Sequence, residues 1–521
     1  MPRDLALALA LGLAEAGVQK LFGLPGGGPN LDMIGSAQAL GIEFVLAHGE
    51  TAACMMAASY GRLTGTAGTA VVTRGPGLTS AANGLAQATL DRFPLLLVSD
   101  TVSRANAGRT AHQRLDQVAA AAPLTKWSGT LGTAKPVELV VAAARLAVTA
   151  PAGAVHLAFD PTVPGDAPPA LPPDPSPDVA DLERARLLLA AARRPVVIVG
   201  LDGARPPAEV RAALQSFDGP VLVTYQAKGT VPESWPSYAG LFTGAAVERP
   251  LLEQADLILG IGLDPVEPMP GPWPFIAPTV LLHSHPAETA YFGAPLTLIG
   301  PYAEHLPALF PSARTAWEPA AGQTTRRSDV ARLDAPSPGL SPHDVVRTTQ
   351  QVLGRALVTV DAGAHMLVVM PLWETDEADS VLISNGLATM GFALPAAIAM
   401  ALARPGRRVV CFVGDGGLGM VLGELETLVR LRLDVTIVVF NDAALTLIAL
   451  KQGDGQGGRG AIGFGAVDFA QLAAATGLAS QVAYDVPGLR QALAPLECGP
   501  RLIDARIDSS SYRHVIRTTR G

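Results

Sequence analysis

Short apolar runs alternate with longer stretches of mixed polarity along most of the chain. In the first 165 residues the runs are "QKLFGL", "FVLA", "GTAVVT", "PLLLVS" and "AVHLAF". Most are closed by Gly, Pro or a polar residue, as strands of this length are. Helical stretches separate them, which predicts a parallel sheet covered on both faces. The Pro-rich stretch Pro161 to Asp178 then breaks the rhythm and reads as an extended linker. A second series follows with "PVVIVG", "PVLVTY", "DLILGIG" and "TVLLHS". Another polar, Pro-containing stretch from Glu318 leads to a third series: "ALVTVDAG", "RRVVCFVGDGG" and "DVTIVVFND". The fold class expected is α/β, with three doubly wound parallel-sheet domains at residues 1–165, 179–315 and 340–521. The first and third share a layout, with glycines just after strand ends.

Two segments admit a second reading. "MPRDLALALALGLAEAG" has a basic residue, an apolar run and an AEA-like end, which fits a signal peptide. It also fits a helix with Asp4 as N-cap and Gly17 as stop, preferred here because cleavage would remove the first element of a regular pattern. Gly386 to Ala403 carries no charge and reaches the span threshold of about 18 residues. Thr389, Pro395 and two glycines make a buried helix of a large core the better reading.

Composition agrees with extensive burial: 49% of the 521 residues are hydrophobic and 16% charged. The net charge of −8 is spread without long runs, so neither nucleic acid nor an anionic membrane is an expected partner. Cys54, Cys411 and Cys498 form no CxxC pair and no zinc cluster, which fits a reducing compartment, and a cytoplasmic protein is expected.

Candidate chemistry concentrates at two strand ends of the third series. "RRVVCFVGDGG" closes on Gly414-Asp415-Gly416-Gly417, and "DVTIVVFND" closes on Asn441-Asp442. In open α/β sheets ligands bind outside the carboxyl ends of the strands. Asp and Asn oxygens with a backbone carbonyl suit a hard cation such as Mg²⁺. The glycines admit phosphate oxygens to backbone amides and a helix N-terminus. A glycine turn alone is weak; one followed by 24 residues and then Asn-Asp is much stronger.

With that spacing the sequence resembles the thiamine diphosphate enzymes, most closely the acetolactate synthase branch. "LFGLPGGGPN", "VTRGPGLTSAANGLAQATLDRFPLLLVSD", "AHQRLDQVAAAAPLTKWS" and "SNGLATMGFALPAAIAMALARP" each resemble a block of that branch. The resemblance implies three domains: pyrimidine-binding, middle and diphosphate-binding. It implies thiamine diphosphate and Mg²⁺ as cofactors, with Asp415, Asn441 and the carbonyl of Ala443 as metal ligands. It implies a homodimer or homotetramer, because family members place the cofactor between two subunits.

Glu50 falls at the family's glutamate, in a register fixed by Tyr60 and Arg62. Its carboxyl group would bond the cofactor's pyrimidine nitrogen, and an apolar pocket favours sharing a proton there. The usual Arg-His before that glutamate is His48-Gly49 here. Met390 falls where the family has a bulky residue under the cofactor's bend, and Ala388 where a glycine carbonyl accepts from the amino group. The resemblance also sets Pro25, Gly75, Asn83, Gly363, Ala364, His365, Gly414, Gly416, Gly417, Leu445, Thr446 and Leu447 against the cofactor. His365 is equally a plain structural histidine.

Gly27, Gly28, Arg74, His112, Gln113, Leu447 and Ile448 are the expected substrate residues, with His112 and Gln113 also catalytic candidates. Arg74 would hold a carboxylate in bidentate fashion, or be a surface arginine at a turn. His112 would relay protons, or be structural. Lys451 replaces the family's acceptor-selecting Trp. "LILGIGLDPVEPMPG" lacks the Arg that usually follows that strand, so FAD is expected to be absent. The reaction expected is decarboxylation of a pyruvate-like 2-oxo acid with carbon–carbon bond formation to a carbonyl acceptor. The alternatives are a lyase or hydrolase of acyloins or diones, or a simple 2-oxo acid decarboxylase. A nucleotide-binding regulator fits poorly, because "GLDGARP" is not a full GxGxxG.

Overall fold

The computed structural model describes residues 2–521 apart from 174, 176–178, 311–314, 454–455 and 495–497. Its strands form three six-stranded sheets, parallel throughout. The first holds β1 (Lys20–Leu24), β2 (Glu43–Leu46), β3 (Gly68–Val72), β4 (Leu95–Asp100), β5 (Trp127–Leu131) and β6 (Ala154–Phe159). The second holds β7 (Pro195–Val199), β8 (Val221–Val223), β9 (Tyr238–Leu241), β10 (Leu257–Ile261), β11 (Thr279–His283) and β12 (Leu296–Ile299). The third holds β13 (Leu357–Val360), β14 (Val381–Ile383), β15 (Val409–Gly414), β16 (Val435–Asn441), β17 (Ala479–Ala483) and β18 (Arg501–Arg506).

The first and third sheets have the same topology, β2-β1-β3-β4-β6-β5 and β14-β13-β15-β16-β18-β17. The glycine-rich strand ends therefore occupy matching places in the two. The second sheet runs β12-β11-β10-β7-β8-β9, the dinucleotide-fold order with a switch between β7 and β10. Central strands such as β3, β7 and β15 are buried nearly end to end, as a sheet covered on both faces requires.

Three sequence readings are adjusted. The N-terminal helix spans Pro2–Glu15, which puts Asp4 inside its first turn rather than at the cap; Gly17 takes φ 78° where the chain leaves it. The stretch read as a second linker contains a helix, Ala321–Leu333, packed on β9. It escapes an apolar-pattern reading because only Gly322 and Leu333 are buried in it. Gly322 is needed there, since a Cβ would lie 2.1 Å from the Ser237 carbonyl oxygen. The uncharged segment from Gly386 is helical only over Ala393–Ala403, buried against the Glu50–Thr64 helix. No helix among the described residues is long and apolar enough to cross a membrane.

Buried polar contacts join the three sheets. Asp91, fully buried, accepts from Gln87 Nε2 (2.9 Å), Gln226 Nε2 (3.3 Å) and the Gly386 amide (2.6 Å). Arg92 pairs with Asp264 at 2.7 Å and Arg62 with Asp379 at 2.8 Å.

Candidate active site

Strand ends of the third sheet enclose a cleft of about 320 Å³. Gly363, Ala364 and His365 enter it after β13, Gly414 to Gly417 after β15, and Asp442 after β16. Ala388 and Met390 form another wall, and the Thr446–Lys451 helix lines the rim with Leu447, Ile448 and Lys451. His365 stacks on Phe440 with centroids 5.2 Å apart, and burial pushes its pKa down to about 4, so it is neutral. Ala388 sits in the left-handed region at φ 53°, where glycine is more at ease.

Asp415 opens the turn after β15. Its Oδ1 accepts from the Gly416 amide at 2.7 Å, while its Oδ2 is buried without a partner. Burial, then the neighbouring Asp442 charge, raises its pKa to about 6. Two carboxylates at neighbouring strand ends, one with an orphaned oxygen, leave negative charge that a cation would satisfy. Asn441 is buried, and its Nδ2 donates to Asp504 Oδ1 at 2.9 Å and to the Val467 carbonyl at 3.3 Å. That anchoring leaves its oxygen for another ligand. Ala443, at φ 54°, already accepts from Phe464 N at 2.8 Å through its carbonyl, which retains a second lone pair.

Below the cleft, Asp361 accepts from the amides of Gly391 and Phe392, both at 3.0 Å, and so fixes the loop that carries Met390. A Cβ on Gly417 would come within 2.0 Å of Asp361 Oδ2, so glycine is needed at that turn.

The corresponding strand ends of the first sheet gather the other candidates. Pro25, Gly27 and Gly28 follow β1, Glu50 follows β2, and Arg74 and Gly75 follow β3. Glu50 is the first residue of the Glu50–Thr64 helix, half-buried, and its carboxylate has no hydrogen bond or ion pair among the described residues. The rest of that helix is almost wholly buried. Arg74 turns to an internal carboxylate, Asp100, at 2.7 Å, so its expected role toward an external carboxylate competes with a built-in pair. His112 and Gln113 are exposed; the Gln113 backbone lies against Gly75, where a Cβ would meet its carbonyl oxygen at 3.0 Å. Asn83 donates to Thr389 Oγ1 at 3.0 Å, beside Met390. None of these first-sheet residues lines the third-sheet cleft of the same chain.

Three family profiles match the chain in order. Residues 3–120 match the thiamine pyrophosphate enzyme N-terminal TPP binding domain, 182–309 the central domain, and 361–505 the C-terminal TPP binding domain. The chain belongs to the thiamine pyrophosphate enzyme family. Among its relatives, acetolactate synthase of Bacillus subtilis (strain 168) is 32% identical, covering 96% of this chain and 92% of its own. Catabolic acetolactate synthase of Raoultella terrigena is 31% identical over 89% and 88% of the two chains. The large subunit of Escherichia coli (strain K12) acetolactate synthase isozyme 1 is 28% identical over 95% and 92%.

For a thiamine pyrophosphate enzyme the cleft offers glycine-turn amides and an orphaned Asp415 oxygen, which suit a diphosphate and its cation, while Asn441 and Ala443 stand beside its lining residues Asp442 and Ala444. Asp442, Tyr512 and Arg520 also line it, and no sequence expectation included them as site residues. Asp442 stands next to Asn441 and was within reach of motif reading. Tyr512 and Arg520 come from the C-terminal helix, Tyr512–Arg520, and only tertiary structure brings them to the cleft.

Proposed function

We propose that this chain is a thiamine diphosphate- and Mg²⁺-dependent carboligase of the acetolactate synthase kind, acting on a pyruvate-like 2-oxo acid. The buried, unpartnered Asp415 Oδ2 in its glycine-lined cleft is the observation that carries this reading. Asp415, Asn441 and the Ala443 carbonyl would hold the cation, and the Gly414–Gly417 turn and Gly363 would receive the diphosphate. When bound, thiamine diphosphate supplies the carbon nucleophile and electron sink for making and breaking bonds beside a carbonyl. Glu50 would share a proton with the pyrimidine ring nitrogen, its unpaired carboxylate being free to do so. Met390 would set the cofactor's orientation from below, while Leu447 and Ile448 would give the rim an apolar side.

Because the Glu50 end of the first sheet does not line the cleft of its own chain, a complete site takes the first domain of a second copy. A homodimer or a tetramer built from it follows from this reading. FAD is proposed to be absent. At the β7/β10 switch, Glu267 Oε2 accepts from the Leu201 amide at 2.8 Å. A nucleotide phosphate would seek that amide, and the Glu267 carboxyl oxygen already occupies it. A purified protein carrying no flavin absorbance fits this; a stoichiometric flavin band contradicts it.

Incubation with thiamine diphosphate, Mg²⁺ and pyruvate tests the function. CO₂ release with an acetolactate-type product supports it. CO₂ release with an aldehyde as the sole product indicates a simple decarboxylase, and cleavage of acyloins or diones without CO₂ release from pyruvate indicates the lyase or hydrolase.

A further inference from the structure

The turn that carries Glu50 is gripped by the third domain of its own chain. Arg430 Nη2 donates to the Leu46 carbonyl at 2.6 Å, and Glu424 Oε1 accepts from the His48 amide at 2.9 Å. His48 Nε2 meets Glu426 Oε2 at 2.8 Å, and Arg430 Nε lies 3.2 Å from both Glu426 oxygens. The fit is close, since a Cβ on Gly423 would come within 2.7 Å of His48 Cβ. Backbone and ring of the segment two residues before Glu50 are thus both held by the Glu424–Leu431 helix.

The helix that Glu50 opens lacks a cap of its own. Gly49 stands at its N-cap and offers no side chain, so the free amides of its first turn have no local oxygen to fix them. Orientation of that turn therefore comes from outside the helix. The His48–Glu426 pair is about half-exposed on both sides, 47% and 43%. Exposed pairs contribute little to global stability, so this one acts on local geometry rather than on the fold.

We propose that His48 is a positioning residue: with Glu424, Glu426 and Arg430 it fixes the first turn of the Glu50–Thr64 helix and so the direction of the Glu50 carboxylate. The cofactor contact of Glu50 rests on the function proposed above; the clamp itself does not. It also assigns a use to the departure from Arg-His at residues 48 and 49. An imidazole at position 48 reaches the third-domain carboxylate.

Three variants test it in the full-length protein: His48→Ala, Glu426→Ala and Glu426→Gln. Amide hydrogen exchange is read at Ala53, whose amide bonds the Gly49 carbonyl at 2.9 Å, and at Cys54 beside it. Both alanine variants are expected to exchange about tenfold faster there with an unchanged melting temperature, while Glu426→Gln, which keeps an acceptor, retains the wild-type rate. In the loaded enzyme kcat is expected to fall about tenfold with KM for the 2-oxo acid unchanged. Unchanged exchange in the alanine variants overturns the clamp, as does a melting temperature that falls together with kcat. A wild-type protein without turnover would overturn the proposed function, and the exchange measurement would still decide the clamp.

Discussion

Glu50 and Asp415 each present a carboxylate oxygen without a hydrogen-bond partner among the described residues, and that makes their substitution informative. Glu50→Gln keeps the shape and removes the group proposed to share a proton. The expected result is a loss in kcat of at least about 10²-fold with an unchanged melting temperature, measured by CO₂ release and a thermal melt. Asp415→Ala removes the charge that would hold the cation, so Mg²⁺-dependent binding of thiamine diphosphate is expected to vanish in a fluorescence titration. Both positions could be singled out in the sequence because the chemistry expected of them constrains residue type and spacing from a strand end. Arg74 was legible only as a residue type: the sequence carries no sign that Asp100, after the neighbouring strand, faces it. Arg520 was not legible at all, since its approach to the cleft depends on how the last helix packs.

At the scale of elements, the turn after β15 carries the sharpest constraint. Gly417→Ala would drive a methyl into Asp361, whose two oxygens hold the Gly391 and Phe392 amides. Displacing a buried acceptor costs about 1–3 kcal/mol. A lower denaturation midpoint and weaker cofactor binding are expected together, because the same amides fix the Met390 loop. Elements of this kind, with long apolar runs ended by glycine, were readable from pattern alone. Three edge strands were not. β5, β12 and β17 are short and half-exposed, with burial alternating or incomplete, so no continuous apolar run marks them. The Ala321–Leu333 helix was hidden for the opposite reason, being polar nearly throughout.

Across the whole molecule, buried carboxylates tie the sheets together. Asp91 gathers donors from all three domains, and Asp91→Ala would orphan these neutral amides, at a cost of about 1–3 kcal/mol in a chemical-denaturation experiment. Glu267 adds a pH dependence. Burial raises its pKa from 4.5 to about 8, so the folded state keeps a proton that the unfolded state has released. Its contribution to stability is therefore full below pH 4.5 and declines as pH rises toward about 8. The slope is about 1.4 kcal/mol per pH unit at most. Glu267→Gln is expected to flatten that decline in melting temperatures taken across the window. The most direct test of the central claim remains turnover: wild-type and Glu50→Gln protein, each with thiamine diphosphate, Mg²⁺ and pyruvate, followed for CO₂ and for the carbon–carbon coupled product. Release and coupling by the wild type, lost in the variant, is the predicted result; equal turnover in both, or none in the wild type, would contradict it.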